Sequence, residues 1–192
     1  MLPIIKLIMS PVLIILLFTP PQEDKLSKEA KELAQEFGKT LKSELVKGMS
    51  EGGALNAISV CYEKAPKIAE HLSQESGWKI SRTSLKARNE NNTPDEWEKS
   101  ILFEFEKLNE SGEDQNILVH SEVVEKNGIK IFRFMKAIPT DAVCLTCHGS
   151  NLKDEVASKI EELYPGDTAT GFKQGDIRGA FLLSKIIVDK TE

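Results

Sequence analysis

The stretch ILVHSEVVEKNGIKIFRFMKAI, residues 117–138, contains the clearest secondary-structure pattern of the chain. Its two halves, Ile117 to Val124 and Ile129 to Ile138, are rich in β-branched and aromatic residues, which favour strands. Asn127-Gly128 lies between them, and this pair is typical of a two-residue type I′ turn, in which both central residues need a positive φ. The stretch therefore predicts an antiparallel hairpin around which the other elements can be placed.

Helical patterns occupy the first part of the chain after the N-terminal segment. From Asp24 to Lys47 apolar residues recur every three or four positions, which predicts an amphipathic helix, and Gly48 and Gly52-Gly53 mark its end. A second helix is predicted from about Leu55. Pro66 should interrupt it, because proline lacks the amide hydrogen that an interior helical position donates.

The remaining patterns complete a sheet with helices around it. Thr93-Pro94 followed by Glu96 is typical of a capping box at the start of a helix, which Ser111-Gly112 ends. The other predicted elements are a strand from Trp78 to Leu85, a short helix stopped by Gly149, a helix over about 152–163 and a closing strand from Ile177 to Val188. This order predicts an α+β fold, in which a small antiparallel sheet packs against helices and a long helix comes first.

Residues 1–22 differ from the rest and are predicted to be a signal peptide or an N-terminal membrane anchor. Lys6 is the only charge among residues 1–19, and the apolar run from Leu7 to Phe18 is shorter than the roughly 20 residues of a spanning helix. The exit sequence has no small-residue cleavage site, so both interpretations remain open. Residues 23–192 then form one exported domain in the periplasm or cell envelope.

The composition is that of a globular protein and argues against some partners. Of the 192 residues, 40% are hydrophobic and 29% are charged, which suits a packed core without disulfides. The net charge is −5 and no basic cluster is present, so nucleic acid is not an expected partner. We recognise no Ser/His/Asp arrangement and no phosphate-binding glycine loop, and we predict no catalytic residues and no enzyme activity.

Residues 144–148 read CLTCH, a C-x-x-C-H motif. This motif is typical of c-type haem attachment, in which Cys144 and Cys147 add to the two vinyl groups and His148 becomes an axial ligand of the iron. A thioredoxin-like motif would need a βαβ unit, and a structural zinc site would need four ligands, usually in two pairs. Neither pattern surrounds the motif, which leaves coincidence as the alternative to one covalently attached haem c.

The second axial position has several candidates in the sequence. Cys61 is the cysteine left over, although a lone cysteine on an apolar helix stripe is usually a small buried hydrophobe. A free thiol in an oxidising compartment is a liability unless it is buried or used, which favours Cys61. Methionine and histidine are common ligands in electron-carrying cytochromes, so the other candidates are Met49, Met135, His71 and His120.

Basic residues are candidates for pairing with the haem propionates. A guanidinium group binds a carboxylate through two parallel hydrogen bonds, which makes arginine well suited to this contact. The alternative is a solvated basic strand end, where such charges contribute little. The residues concerned are Arg82, Lys86, Arg88 and Arg178.

Several motifs, in order, resemble those of a family of bacterial c-type haem sensor domains that was formerly a domain of unknown function. The resemblance covers roughly residues 25–188. The motifs that carry it are Ala57 to Cys61 with Ala65 to Ala69, Arg82 to Asn89, Asn92 to Asp95 with Trp97-Glu98, Cys144 to Gly149, Tyr164 to Asp167, Gly171-Phe172, Gly175-Asp176 and Arg178 to Phe181.

This resemblance implies a PAS-like fold and axial ligation by His148 and the Cys61 thiolate. A thiolate is an anionic donor that stabilises ferric iron and lowers the reduction potential, and its loss would open a coordination position and move its helix. We therefore expect a redox or ligand sensor, with a low-potential monohaem electron-transfer cytochrome as the alternative. Related domains often precede an output module, and none follows here, so we expect a separate signalling or redox partner protein.

Overall fold

The computed structural model describes residues 20–188, which form an α+β fold. Its four strands make one antiparallel sheet in the order β1-β4-β3-β2. The predicted fold class is confirmed. The elements are α1 (Pro20–Ser76), β1 (Lys79–Thr83), α2 (Glu96–Glu110), β2 (Val119–Lys126), β3 (Ile129–Pro139), α3 (Leu145–His148), α4 (Asp154–Leu163) and β4 (Ile177–Ile187), with short 3-10 turns at Glu90–Asn92 and Ala142–Cys144.

Most of the predicted leader, residues 1–19, lies outside the described residues. Among the helices that are described, none has the length and apolar character needed to cross a membrane.

The predicted hairpin is present, with the whole of β2 paired to residues 129–136 of β3. Its turn residues Asn127 and Gly128 have φ values of 54° and 76°, as a type I′ turn requires. β1 is shorter than predicted, since only Lys79–Thr83 pairs with β4.

Helix α1 differs most from its prediction. It runs through Gly48 and Pro66, and only Gly52 and Gly53 leave the helical conformation, Gly53 with φ 67° and ψ −159°. Gly48 is buried against the later part of the helix, because a Cβ there would lie 3.1 Å from a methyl group of Val60. Gly48 is therefore not where the helix stops: that glycine provides a close approach between the two parts of α1. The break predicted at Gly52-Gly53 is confirmed, and it separates those two parts.

The predicted interruption at Pro66 is also wrong. An interior proline costs a helix about 3 kcal/mol, because one hydrogen bond is lost and the ring crowds the preceding turn. Beyond Pro66, α1 packs Ile68, Ala69 and Leu72 against the main core. This burial holds the last turns of the helix in place, so α1 continues to Ser76.

The predicted start of α2 lies two residues too early. Asp95, not Thr93, is the N-cap, and its carboxylate accepts a hydrogen bond from the Glu98 amide, while Glu98 bonds back to the Asp95 amide. The capping-box spacing of three residues occurs twice in this segment, between Thr93 and Glu96 and between Asp95 and Glu98, and the structure uses the second pair. Thr93 instead ends the 3-10 turn over Glu90–Asn92.

Three hydrophobic clusters fix the layers of the fold. The first part of α1 covers one face of the sheet, around Phe37, Trp78 and Phe134, and α2 covers the other, around Phe105 and Met135. The third cluster joins the second part of α1 to α4. Cys147 packs against this third cluster, so the C-x-x-C-H segment is brought beside the second part of α1.

Candidate functional site

A cavity of about 480 Å³ lies between α1, the sheet and the C-x-x-C-H segment. Each of the four residues predicted to bind the haem or its iron lines it. These residues are Cys61, Cys144, Cys147 and His148. The fold thus brings the isolated cysteine of α1 to the same space as the motif.

The motif adopts the predicted helical conformation. A 3-10 turn over Ala142–Cys144 leads into α3, which ends where the Gly149 amide donates to the Leu145 carbonyl over 2.9 Å. Helical spacing places positions i, i+3 and i+4 on one side, which directs Cys144, Cys147 and His148 together. The thiols are free and half-buried.

The His148 ring is held in one orientation. Its Nδ1 lies 2.7 Å from the Ala169 carbonyl, and its ring contacts Phe172 edge-on, with centroids 6.2 Å apart. Because a carbonyl only accepts hydrogen bonds, Nδ1 carries the proton and Nε2 keeps its lone pair. Burial, with Arg178 and Arg88 nearby, holds the pKa of His148 well below 6.5. The ring is therefore neutral at pH 7, in the form that binds metals.

Cys61 and Met49 are the two candidates for a second axial ligand that line the cavity. Burial raises the pKa of the Cys61 thiol, and Arg82 and then Arg88 act against that rise. The other three candidates lie elsewhere: Met135 is buried under α2, His71 pairs with Glu75, and His120 packs on Trp97.

The chain matches a known protein family over most of its length. A family model described as Tll0287-like matches residues 21–185. The chain belongs to the Tll0287-like family. The family resemblance drawn from the sequence motifs is confirmed.

A solved structure shares the fold of this Tll0287-like domain. The crystal structure of the cyanobacterial heme-protein Tll0287 matches with a TM-score of 0.60 and 22% sequence identity, over 90% of this chain and 99% of that chain. No protein of curated function matches the chain.

The arginines of the Tll0287-like domain divide into paired and unpaired groups. Arg88, Arg82 and Arg178 all line the cavity, whereas the Lys86 ammonium lies near the Thr170 carbonyl on the exposed side. Arg88 forms a two-pronged ion pair with Asp167, with both N–O distances 3.1 Å. This ion pair already offsets the charge of the Arg88 guanidinium, so Arg88 is less available to a propionate than Arg82 or Arg178.

Arg82 and Arg178 have no carboxylate partner within residues 20–188. Arg178 donates to the Ser84 hydroxyl and the Lys86 carbonyl, but its Nε is buried without an acceptor. Burial, together with repulsion from Arg88 and Arg82, lowers the pKa of Arg178 to about 10, and burial also lowers the pKa of Arg82. Arg82 and Arg178 lie over the rings of Phe37 and Phe172, contacts that offset only part of the cost of two cations in a cavity. This Tll0287-like cavity therefore favours an anionic occupant.

Two residues of the site were missed in the sequence, Asp167 and Ala169. They belong to the loop after α4, whose Tyr164 to Asp167 motif was noticed but given no role. Nothing in the local sequence connects this loop to His148, because the contact forms only when the loop packs on α3.

The alternative of a zinc site receives no support from the described part of the chain. Residues 20–188 contain no group of three or more His, Cys, Asp or Glu side chains arranged to hold a metal ion.

Proposed function

We propose that this domain carries one covalent haem c and acts as a redox or ligand sensor in the cell envelope. Cys144 and Cys147 would hold the porphyrin, and His148 and Cys61 would be the axial ligands. The convergence of these four residues on one cavity carries the proposal. The fold is shared with a cyanobacterial protein that is itself a heme-protein, which supports it further.

The residues present suit the cofactor. The cavity volume of about 480 Å³ falls within the range of about 300–1,000 Å³ that is usual for cofactor sites. Each thiol can add across one vinyl group, so that a carbon–sulfur bond forms, the thiol hydrogen passes to the second vinyl carbon, and nothing is oxidised. The unpaired Arg82 and Arg178 match the two carboxylates of a haem.

The remaining residues would control the iron. When bound, haem supplies one-electron redox chemistry and an axial position whose ligand can change. His148 presents Nε2 because Ala169 occupies Nδ1. When bound to the iron, Cys61 would provide an anionic donor from α1, and the break at Gly52-Gly53 separates its part of the helix from the first part. A movement of Cys61 would therefore displace the second part of α1, which can pass a signal to a partner.

The proposed location is the periplasm or cell envelope. It is supported by the apolar N-terminal segment and by the requirement of c-type haem for attachment outside the bacterial cytosol. A partner protein, and retention of the N-terminus as a membrane anchor, are parts of the same proposal.

We expect the full chain, produced with a periplasmic haem-attachment system, to carry one haem that survives denaturation. Intact mass measurement and a haem-stained denaturing gel check this. Absorption and EPR spectra of the oxidised and dithionite-reduced protein, with and without carbon monoxide, then test sensing. A ligand change on reduction or carbon monoxide binding supports the sensor, whereas unchanged ligands favour an electron carrier. Protein without covalent haem contradicts both.

Arg82→Gln should have opposite effects on the stability of the haem-free and haem-loaded forms. The haem-free protein should gain about 1 kcal/mol, because an unpaired cation leaves the cavity. The loaded protein should lose about 1.5–3 kcal/mol, because a charge-assisted hydrogen bond to a propionate disappears. Thermal unfolding of both forms measures the difference.

Lys86→Gln is the matched control for Arg82→Gln, since it removes the same charge outside the cavity wall. It should leave the stability of both forms nearly unchanged. Destabilisation of the haem-free form by Arg82→Gln would mean that Arg82 has a structural role rather than an anion-binding one.

A further inference from the structure

We infer that Arg88 and Asp167 form a positioning pair that fixes the orientation of His148 through the Ala169 carbonyl. This inference rests on the proposed haem site and concerns which residues define its proximal side. The two side chains are only 10% and 6% exposed. Their contact is two-pronged, with Nε and Nη2 of Arg88 each 3.1 Å from one Asp167 oxygen.

The pair is joined directly to Cys147, which precedes His148 in the chain, and to Ala169, whose carbonyl faces the His148 ring. Nη2 of Arg88 also donates to the Cys147 carbonyl over 2.6 Å and to the Ala169 carbonyl over 3.3 Å. Asp167 accepts a hydrogen bond from the Ala169 amide over 2.8 Å. Both backbone groups of Ala169 are thus held by the pair, and the same Ala169 oxygen lies 2.7 Å from His148 Nδ1.

Backbone hydrogen bonds fasten the same loop to α3. The Phe172 amide donates to the His148 carbonyl over 3.0 Å, and the Gly171 amide donates to the Gly149 carbonyl over 3.1 Å. On its other side, the Thr168 amide and hydroxyl both donate to the Ala87 carbonyl. The ion pair lies between these two attachments. Because Arg88 contacts both the loop and Cys147 of α3, the pair fixes how the loop and α3 pack against the segment around residue 88.

The carboxylate of Asp167 distinguishes the positioning role of Arg88 from the anion-binding role proposed for Arg82 and Arg178. Asp167 offsets the charge of Arg88, whereas no carboxylate among the described residues offsets the charges of Arg82 and Arg178, although Arg88 still contributes to the lowered pKa of His148. The influence of the pair on ring orientation would pass through geometry, because hydrogen bonding to the second ring nitrogen orients a metal-binding histidine. A guanidinium group has the planar fork needed for these simultaneous contacts, and a lysine ammonium does not.

The test compares the ferric EPR spectra of haem-loaded wild type, Arg88→Gln, Arg88→Lys and Asp167→Asn. The anisotropy of a low-spin ferric signal depends on the orientation of the imidazole plane. Wild type should give one signal, and the variants a second one, as misoriented rings become about five- to thirtyfold more populated. Arg88→Lys keeps the charge but not the fork, so it should resemble Arg88→Gln.

Glu122→Gln is the control, because it breaks another Arg–carboxylate pair, with Arg133 on β2 and β3, away from the cavity. It should change thermal stability without changing the EPR spectrum. If Arg88→Gln does not fold, the EPR spectra of Asp167→Asn and Arg88→Lys test the positioning role instead. If these haem-loaded variants give the same EPR spectrum as wild type, the positioning role of Arg88 and Asp167 is contradicted, but the proposed haem site is not. If wild type itself carries no covalent haem, the proposed function fails as well.

Discussion

Replacement of both Cys144 and Cys147 by serine is expected to abolish covalent haem attachment. Both thiols are free, half-buried and line the cavity, and no other cysteine pair has the spacing of the two vinyl groups. A serine hydroxyl is close to the thiol in shape but does not form the thioether. Intact mass and haem staining after denaturation measure the loss, and each single variant should retain one thioether.

Cys61→Ser provides the matched control for this loss. It makes the same chemical change in the same cavity, yet it should leave haem attachment intact, because Cys61 is assigned to the iron and not to a vinyl group. Haem that survives denaturation in the Cys144/Cys147 double variant would place the attachment elsewhere. Circular dichroism of the haem-free proteins checks that the fold is kept.

The hairpin and the C-x-x-C-H helix could be predicted because their signals are local. Asn127-Gly128 is favoured by the positive φ of both turn positions, whatever packs around them. The helical spacing of Cys144, Cys147 and His148 likewise needs only one turn of chain. Such elements are readable from sequence since the residues that determine them are neighbours.

Helix α1 shows why other boundaries were wrong. Gly48 and Pro66 are strong helix breakers by propensity, but both lie where tertiary contacts decide. Gly48 allows the close approach of Val60, and Leu72 beyond Pro66 is buried in the main core. Helix propensity alone predicts that the helix ends at Gly48 and at Pro66. In the folded chain, tertiary packing keeps both positions helical.

The candidate site was only partly predictable for the same reason. The cysteines and His148 were found because their types and spacing carry the chemistry. Arg88 differs from Arg82 because it is paired with Asp167, which lies 79 positions away in the sequence. From the sequence alone, each basic residue of that segment was a candidate for pairing with a propionate. The structure distinguishes them by showing which guanidinium already has a carboxylate.

The second axial ligand was also left open by the sequence, and the cavity reduces the five candidates to Cys61 and Met49. The two differ in charge, which makes them easy to separate experimentally. A thiolate is anionic and stabilises ferric iron, whereas a thioether is neutral and favours the ferrous state.

Cys61→Ala is therefore expected to remove the thiolate signature from the ferric absorption and EPR spectra and to raise the reduction potential. Axial ligands set haem potentials over about 0.8 V, so a shift on the order of 0.1 V or more is expected. Burial raises the pKa of the Cys61 thiol, but coordination to a metal deprotonates a thiol, so the wild-type signature should persist at pH 7. A redox titration followed by absorption gives the potential.

Met49→Leu completes the comparison, since it removes the competing sulfur with little change in volume. With Cys61 as the ligand, Met49→Leu should keep the wild-type spectra and potential. If Met49→Leu changes them and Cys61→Ala does not, the ligand is the thioether. The low potential and the thiolate-based ligand exchange then both lose their basis, because the neutral thioether of Met49, and not the Cys61 thiolate, would bind the iron. An electron-transfer cytochrome would in that case describe the protein better than a sensor.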